Sequence, residues 1–478
     1  MATFDFNQAA HLLRRMGFAG PPEEIDALVT RGREGAVDHL LNYNQIDNKP
    51  LDDLLAASFD FTDPRDNEKF NQAEIRRWWL TRMVHSRRQF EEKMTLFWHN
   101  HFATSLSKVE ERLMYVQNLT LRAHALDKFD TLLLNVSRDP AMLIWLDGIT
   151  NVLGSPNENW ARELQELFTM GINDVVTGQP NYTENDVKEI ARAFTGGRFR
   201  QVRGSEDRFN LEFLIVPGQH DNAAKTIYGQ TALFSWEDVI TLVSAKRATA
   251  RFLVKEIFEF FVYPLTSSSA DKATINKFAD VYESRDHSIK DLMRAIFVSD
   301  EFFSSRAVFG LIKQPAELVV GAIRMLGGQY APGTFERRGS SNVLYQSARV
   351  MGQDMFNPPD VNGWDLNLAW INTATMLDRF NFSNNLLNNR RTDLPGMFVT
   401  NEQLGKYTKG TAKKTVKKFL SVLGPLGVTG NAVATLKDYL LKDNQGNKIE
   451  FAVTDQLIDS KIRGLAHQIM CLPEFQLN

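Results

Sequence analysis

Segment after segment of this chain opens on a capping residue or a proline, carries apolar residues three and four positions apart, and stops at glycine. That grammar leaves little room for anything but packed α-helices. In Phe6–Phe18 the apolar residues recur at helical spacing, and Gly17 with Gly20-Pro21-Pro22 ends the run. Thr183 caps another helix, with Val187, Ile190, Ala191 and Phe194 as its stripe and Gly196-Gly197 as its stop. Further helices are expected at Pro21–Val29, Gly35–Leu41, Leu113–Leu126 and Phe129–Val136, and a helical hairpin over Gln72–His85 and Ser86–Phe102. Residues 42–70 are polar, acidic and irregular, and read as a surface excursion.

One stretch breaks the pattern. Arg198–Arg203 and Phe209–Val216 alternate or run apolar around Gly204-Ser205-Glu206-Asp207, which predicts a β-hairpin inserted in a helical protein. Helices resume near Trp236 and run to Gly327. A loop is expected over 328–342, and a long irregular stretch over Phe356–Trp370. The expected fold is mainly α: a large multi-helix domain over 1–394 with the hairpin near 198–216, and a smaller helical C-terminal lobe over 395–478.

With 478 residues, 43% hydrophobic and 24% charged, the chain can bury a large core. Its net charge of −3 argues against a dedicated nucleic-acid binder. No run of 18 apolar residues is present, so no membrane span is expected. Cys471 is the sole cysteine, which excludes an intrachain disulfide and a thiolate zinc cluster. No export signal is readable after Met1, which predicts a cytoplasmic location.

Two segments concentrate chemistry. Phe97-Trp98-His99-Asn100-His101-Phe102 sets two imidazoles among aromatic rings, and Asn157–Leu167 sets three carboxylates and an arginine on one short helix. Helical positions i and i+2 point about 200° apart, so His99 and His101 converge on one ion only if the helix unwinds near Asn100. Otherwise His101 is a core histidine bonded to a backbone carbonyl.

Ser155, Pro156 and Glu158 read as a capping box, with Trp160, Leu164, Leu167 and Phe168 as the stripe and Gly171 as the left-handed stop. Arg162 is four residues from both Glu158 and Glu166, so ion pairs along the helix are expected. Glu163 borders the stripe, where a half-buried carboxylate needs a partner or a shifted pKa.

His220-Asp221 follows Pro217-Gly218 and reads either as a turn or as a ligand pair, with Lys225 nearby as a cation. Trp364 and Trp370 read as an aromatic wall for a ligand or as the packing of a loop on itself. Lys406, Lys409, Lys413, Lys414, Lys417 and Lys418 read as a solvated face or, as the lesser alternative, as a phosphate or partner-docking patch.

Across these landmarks the chain resembles the bacterial "domain of unknown function 1800" family. The resemblance is carried by Ala10-His11-Leu12-Leu13-Arg14-Arg15 with Gly17-Phe18, the Phe97–Phe102 segment, Asp139-Pro140-Ala141-Met142 and the Asn157–Gly171 stretch. It continues through Tyr182-Thr183-Glu184, His220-Asp221, Lys313-Gln314-Pro315, Met351-Gly352-Gln353, Pro358-Pro359, Gly363-Trp364 and Pro473-Glu474-Phe475. It implies a mostly helical fold and a sulfatase-like protein, encoded nearby, as a partner.

Two functions are expected. The first is a metal-assisted enzyme, hydrolytic in kind, and the resemblance, through its sulfatase-like neighbour, implies a carbohydrate, sulfate or phosphate ester as substrate. A divalent ion would sit on His99, His101, Glu163, His220 and Asp221 and lower the pKa of a bound water. Glu163, Glu158 and His124 would move protons, and Arg162, Lys225 and Trp364 would hold substrate. The second is a non-catalytic helical scaffold or maturation partner of the sulfatase-like protein, with the same residues in a buried polar network.

Overall fold

The computed structural model describes residues 4–332, 344–389, 396–443 and 445–478. Helix greatly exceeds strand. The first helices are α1 Phe6–Met16, α2 Pro22–Val29, α3 Gly32–Leu41, α4 Lys49–Ser58, α5 Gln72–His85 and α6 Gln89–His101. Then come α7 Glu111–Ala123, α8 Phe129–Ser137, α9 Pro140–Trp145, α10 Asn159–Glu166, α11 Glu184–Ala193 and α12 Trp236–Ser244. The middle of the chain forms α13 Arg247–Phe261, α14 Ser269–Ser284, α15 Ile289–Val298, α16 Pro315–Met325, α17 Leu344–Val350 and α18 Thr373–Asn388. The tail forms α19 Asn401–Tyr407, α20 Ala412–Val422 and α21 Gly430–Leu440. It closes with α22 Asp455–Leu457, which runs through one π-helical turn into α23 Arg463–Met470.

The helix starts follow the sequence. Asp5 accepts from the Gln8 amide at 2.9 Å, Asn71 caps α5, and Thr183 with Asp186 closes a capping box on α11. Residues 42–70 are more ordered than expected. Lys49–Ser58 is helical, with Pro50 in the first turn, where its missing N–H costs nothing, and with Leu51 and Leu55 buried. Two apolar anchors among acidic residues are too sparse a stripe to stand out in sequence.

The capping box expected at Ser155 does not form. Ser155 bridges Val152 in an isolated antiparallel pair, and α10 starts four residues later, with the Asn157 side chain accepting from the Asn159 amide at 2.9 Å. Gly171 takes the left-handed conformation, φ +74°.

The hairpin is present: β1 Gly197–Gln201 pairs antiparallel with β2 Leu211–Ile215, Phe199 opposite Phe213. Two further antiparallel pairs escaped the sequence. β3 Lys225–Ile227 pairs with β4 Gln230–Ala232 through Tyr228 and Gly229, both at positive φ. β5 Gln329–Ala331 pairs with β6 Gly396–Phe398. Strands of three residues are too short to show alternation. The rest of the expected 328–342 loop lies almost wholly outside the described residues.

Two helices form the centre. Every residue of α16 is buried, and so is every residue of α6 except Glu91 and Asn100. A helix enclosed on all sides must pair its polar groups inside the protein. Lys93 bonds Glu317 of α16 and the Gly17 carbonyl. Glu92, fully buried, takes Arg82 Nε at 2.7 Å, Arg122 Nη2 at 2.9 Å and Trp79 Nε1 at 3.2 Å.

The tail is stitched on by Arg463, which donates to the Leu387 and Val399 carbonyls, and by the Lys313 amide, 2.8 Å from the Gln476 carbonyl. Lys409, Lys413, Lys414 and Lys417 are exposed, as a solvated face requires. No described helix is long and apolar enough to cross a membrane.

Candidate functional site

The helix α6 does not unwind at Asn100, so His99 and His101 leave it in different directions. The His99 ring lies in an aromatic box, with centroids 5.2 Å from Trp79, 5.4 Å from Phe356 and 5.7 Å from Trp364. Its Nε2 is buried with no hydrogen-bond partner among the described residues, and burial pushes the pKa down to about 3. Trp364 is the lid of this box and is 5% exposed, so it does not front a substrate. It is held by Asn100, whose Oδ1 accepts from the Trp364 amide at 2.6 Å and whose Nδ2 donates to the Trp364 carbonyl at 3.3 Å.

His101 bonds a backbone carbonyl. Its Nε2 lies 3.0 Å from the Phe168 oxygen. A carbonyl only accepts, so Nε2 carries the proton and Nδ1 presents a lone pair. Burial lowers the His101 pKa to about 4, and the ring is neutral at pH 7.

On α10 the carboxylates are divided among local partners. Arg162 forms a two-pronged pair with Glu184 of α11 at 2.9 and 2.7 Å, and reaches Glu158 at 3.3 Å and Glu166 at 3.6 Å. Glu166 also accepts from the Tyr182 hydroxyl at 2.6 Å. Glu163 has no bond to another side chain among the described residues. Burial raises its pKa, the charge of Glu166 adds to this, and Arg162 offsets part of it.

The turn after the hairpin is lashed to the end of α11. His220 Nδ1 lies 2.9 Å from the Thr195 carbonyl, and the Asp221 amide donates to Thr195 Oγ1 at 2.7 Å. Arg192 bonds the Asp221 carboxyl at 2.7 Å and holds its pKa below the ordinary value. Lys225 is buried and donates to the carbonyls of Asp221 and Ala223, so its ammonium closes the turn instead of facing a substrate. His124, at the end of α7, pairs with Asp127 at 2.7 Å.

The shared ligand set expected from sequence is therefore not assembled. Among the described residues no group of three or more His, Cys, Asp or Glu side chains could hold a metal ion. At His101, His220 and Asp221 the polar group is satisfied by the nearest backbone carbonyl or arginine instead of by a common ion, while His99 is enclosed by aromatic rings and Glu163 has no side-chain partner among the described residues.

What the fold does assemble is a cleft of about 230 Å³. α6 contributes Phe97, Asn100 and His101, at positions i, i+3 and i+4 of one face. α13 contributes Phe252, Glu256 and Phe260, again one face at i, i+4 and i+8. Leu167 and the loop residues Val361, Asn362 and Leu366 complete it. Asn100 builds the loop wall by clamping Trp364. A small extension around Phe260 and Leu366, about 10 Å³, reaches Glu259 and Gln314.

Among the described residues the one ion pair of Glu256 is with Lys255, at 3.5 Å, while Lys255 bonds Glu259 more closely at 2.8 Å. Burial raises the Glu259 pKa against the pull of Lys255. Sequence reading missed this wall, although a carboxylate flanked at four residues on each side by phenylalanine was a visible signal.

No curated protein and no solved structure matches the chain. A family model described as protein of unknown function (DUF1800) matches residues 11–477, nearly the whole length, and the chain belongs to that family.

Proposed function

We propose that this chain is a non-catalytic helical scaffold that holds a ligand in the cleft between α6 and α13. One observation carries the reading. The side chains with chemistry on α10 and in the 220–225 turn, Glu163 aside, are bonded to protein groups, whereas three phenylalanines, Glu256 and His101 line one open cleft. An apolar concavity with a few convergent polar groups is the usual form of a ligand site. The sulfatase-like partner belongs to the same proposal and rests on the family resemblance alone.

The test is native purification followed by mass spectrometry of small molecules released on denaturation. A compound carried by the wild type and lost in Asn362→Trp, which fills the mouth, supports the reading. Identical release from both proteins removes it.

Metal-assisted hydrolysis of a carbohydrate, sulfate or phosphate ester is the second reading. It is favoured by His101, whose Nδ1 is unprotonated, and Glu256 lining one cleft. Elemental analysis separates the two: a stoichiometric divalent metal that is lost in His101→Gln selects the enzyme.

A further inference from the structure

We infer that the ligand of the α6–α13 cleft is a small organic cation bearing a methylated ammonium group. This rests on the cleft being the ligand site and adds the chemistry of the occupant.

The walls carry aromatic rings and no fixed positive charge. Phe97, Phe252 and Phe260 line the cleft, and the π-face of a phenyl ring is the negative end of its quadrupole. Glu256 adds a carboxylate on the same wall. His101 is 8% exposed and neutral, its one proton is committed to the Phe168 carbonyl, and Nδ1 is left as an acceptor. The Asn362 amide nitrogen donates to Asp360 at 3.2 Å, which leaves its oxygen as the free polar end. No lysine or arginine is among the lining residues. Lys255, beside Glu256 on α13, is shared between Glu256 at 3.5 Å and Glu259 at 2.8 Å, so two carboxylates share one cation.

A sulfate or phosphate group entering here would meet rings, lone pairs and a carboxylate, with no fixed cation to receive it. Burying an anion in such surroundings is costly. A cation with an apolar coat meets the opposite situation. Its charge is attracted by the ring faces and by Glu256, and its methyl groups fill the space between the rings. Choline fits this description, and its hydroxyl has an acceptor in His101 Nδ1. The trimethylammonium group could be free or part of a phosphatidylcholine headgroup, and the two sources are separable by experiment.

The test is isothermal titration of the full chain with choline and with 3,3-dimethylbutan-1-ol, which has the same shape without the charge. Choline is expected to bind at least tenfold more tightly than the neutral isostere. Glu256→Gln and Phe252→Leu should each weaken choline at least fivefold and leave the isostere within twofold. Unchanged circular dichroism and melting temperature in both variants guard against unfolding. If one variant is misfolded, the other carries the test. Phosphatidylcholine vesicles form a second arm: their binding assigns the cation to a lipid headgroup, and choline binding without them assigns it to a free molecule.

Equal binding of choline and the isostere overturns the cation and leaves the cleft reading standing. Binding of neither overturns the cation as well. The released-compound experiment with Asn362→Trp then decides the cleft reading on its own.

Discussion

His101 Nε2 lies 3.0 Å from the carbonyl oxygen of Phe168, so one imidazole proton joins the end of α6 to the segment that follows α10. This bond fixes the tautomer and leaves Nδ1 with its lone pair, while burial, against the pull of the bond itself, keeps the ring neutral. The first consequence is a pH dependence of stability. Burial lowers the His101 pKa to about 4, from an unfolded value near 6.5. The folded form therefore takes up its proton later than the unfolded chain does. The associated stability is present above about pH 6.5 and is lost as pH falls towards 4. Urea unfolding at pH 7 and pH 4.5 should show the loss. His101→Gln, which keeps an N–H donor but does not titrate, should flatten it. An equal slope in the variant would show that other groups dominate.

A second prediction concerns His99. Its Nε2 is buried inside three aromatic rings, without a partner among the described residues. An unsatisfied buried polar group costs about 1–3 kcal/mol, and an apolar side chain of the same shape removes that cost. His99→Phe should be neutral or raise stability by about 1 kcal/mol in denaturant titration. A loss of 2 kcal/mol or more, roughly, would mean that the nitrogen has a use in the folded protein.

The Glu92 site should respond in the opposite way. Its carboxylate is fully buried between Arg82, Arg122 and Trp79. Glu92→Gln leaves the enclosed Arg122 without its carboxylate and Arg82 with Glu91 alone at 3.6 Å, and breaking such an arrangement costs about 3–5 kcal/mol. A midpoint unchanged from wild type would show that water reaches the arginines.

These three residues also mark how far the sequence could be read. The opposite facing of His99 and His101 follows from helical geometry alone, and the carbonyl partner of His101 was one of the two expected outcomes. Thr183 and Gly171 behaved as local signals because their partners lie within a few residues. The box at Ser155 failed for a related reason: Asn157, closer to the helix, accepts the same kind of amide bond, and local pattern does not rank two competing caps. The cleft was illegible because its walls come from residues 97–101, 167, 252–260 and 361–366, which only the tertiary fold brings together. The family motifs named the segments of the protein without naming which of their side chains would face open space.

Glu163 and Glu166 give a fourth test. Glu163 is half-buried, has a raised pKa and has no side-chain partner among the described residues. A carboxylate raised by burial is better tolerated protonated, so its contribution fades as pH rises through the folded pKa. Glu163→Gln should leave stability at pH 7 unchanged or slightly higher. Glu166→Gln weakens the bond to Tyr182 and the contact with Arg162, and should cost about 1 kcal/mol. Thermal melts of the two variants decide. The reverse order would show that Glu163 is held by an interaction absent from this geometry, and would reopen its role as a proton carrier.

The last prediction tests the loop wall through its backbone. Gly363 sits at φ +81°, and a Cβ there would fall 2.4 Å from the Asn100 carbonyl oxygen and 2.5 Å from its Oδ1. Both faults have one remedy, which is to move the loop away from α6. Moving it breaks the paired bonds between Asn100 and Trp364, lifts Trp364 from the His99 box and shifts Val361, Asn362 and Leu366 out of the cleft wall. A left-handed position alone costs an alanine about 1 kcal/mol or more, and the clash adds to that. Gly363→Ala should lower stability by about 2–4 kcal/mol. It should also increase tryptophan exposure, read as a red shift and stronger acrylamide quenching, and it should abolish ligand retention in the cleft. Trp364→Phe, which keeps the backbone clamp, should retain the ligand. If Gly363→Ala melts with the wild type and keeps its ligand, the loop is not held by Asn100, and the cleft must owe its shape to α6 and α13 alone.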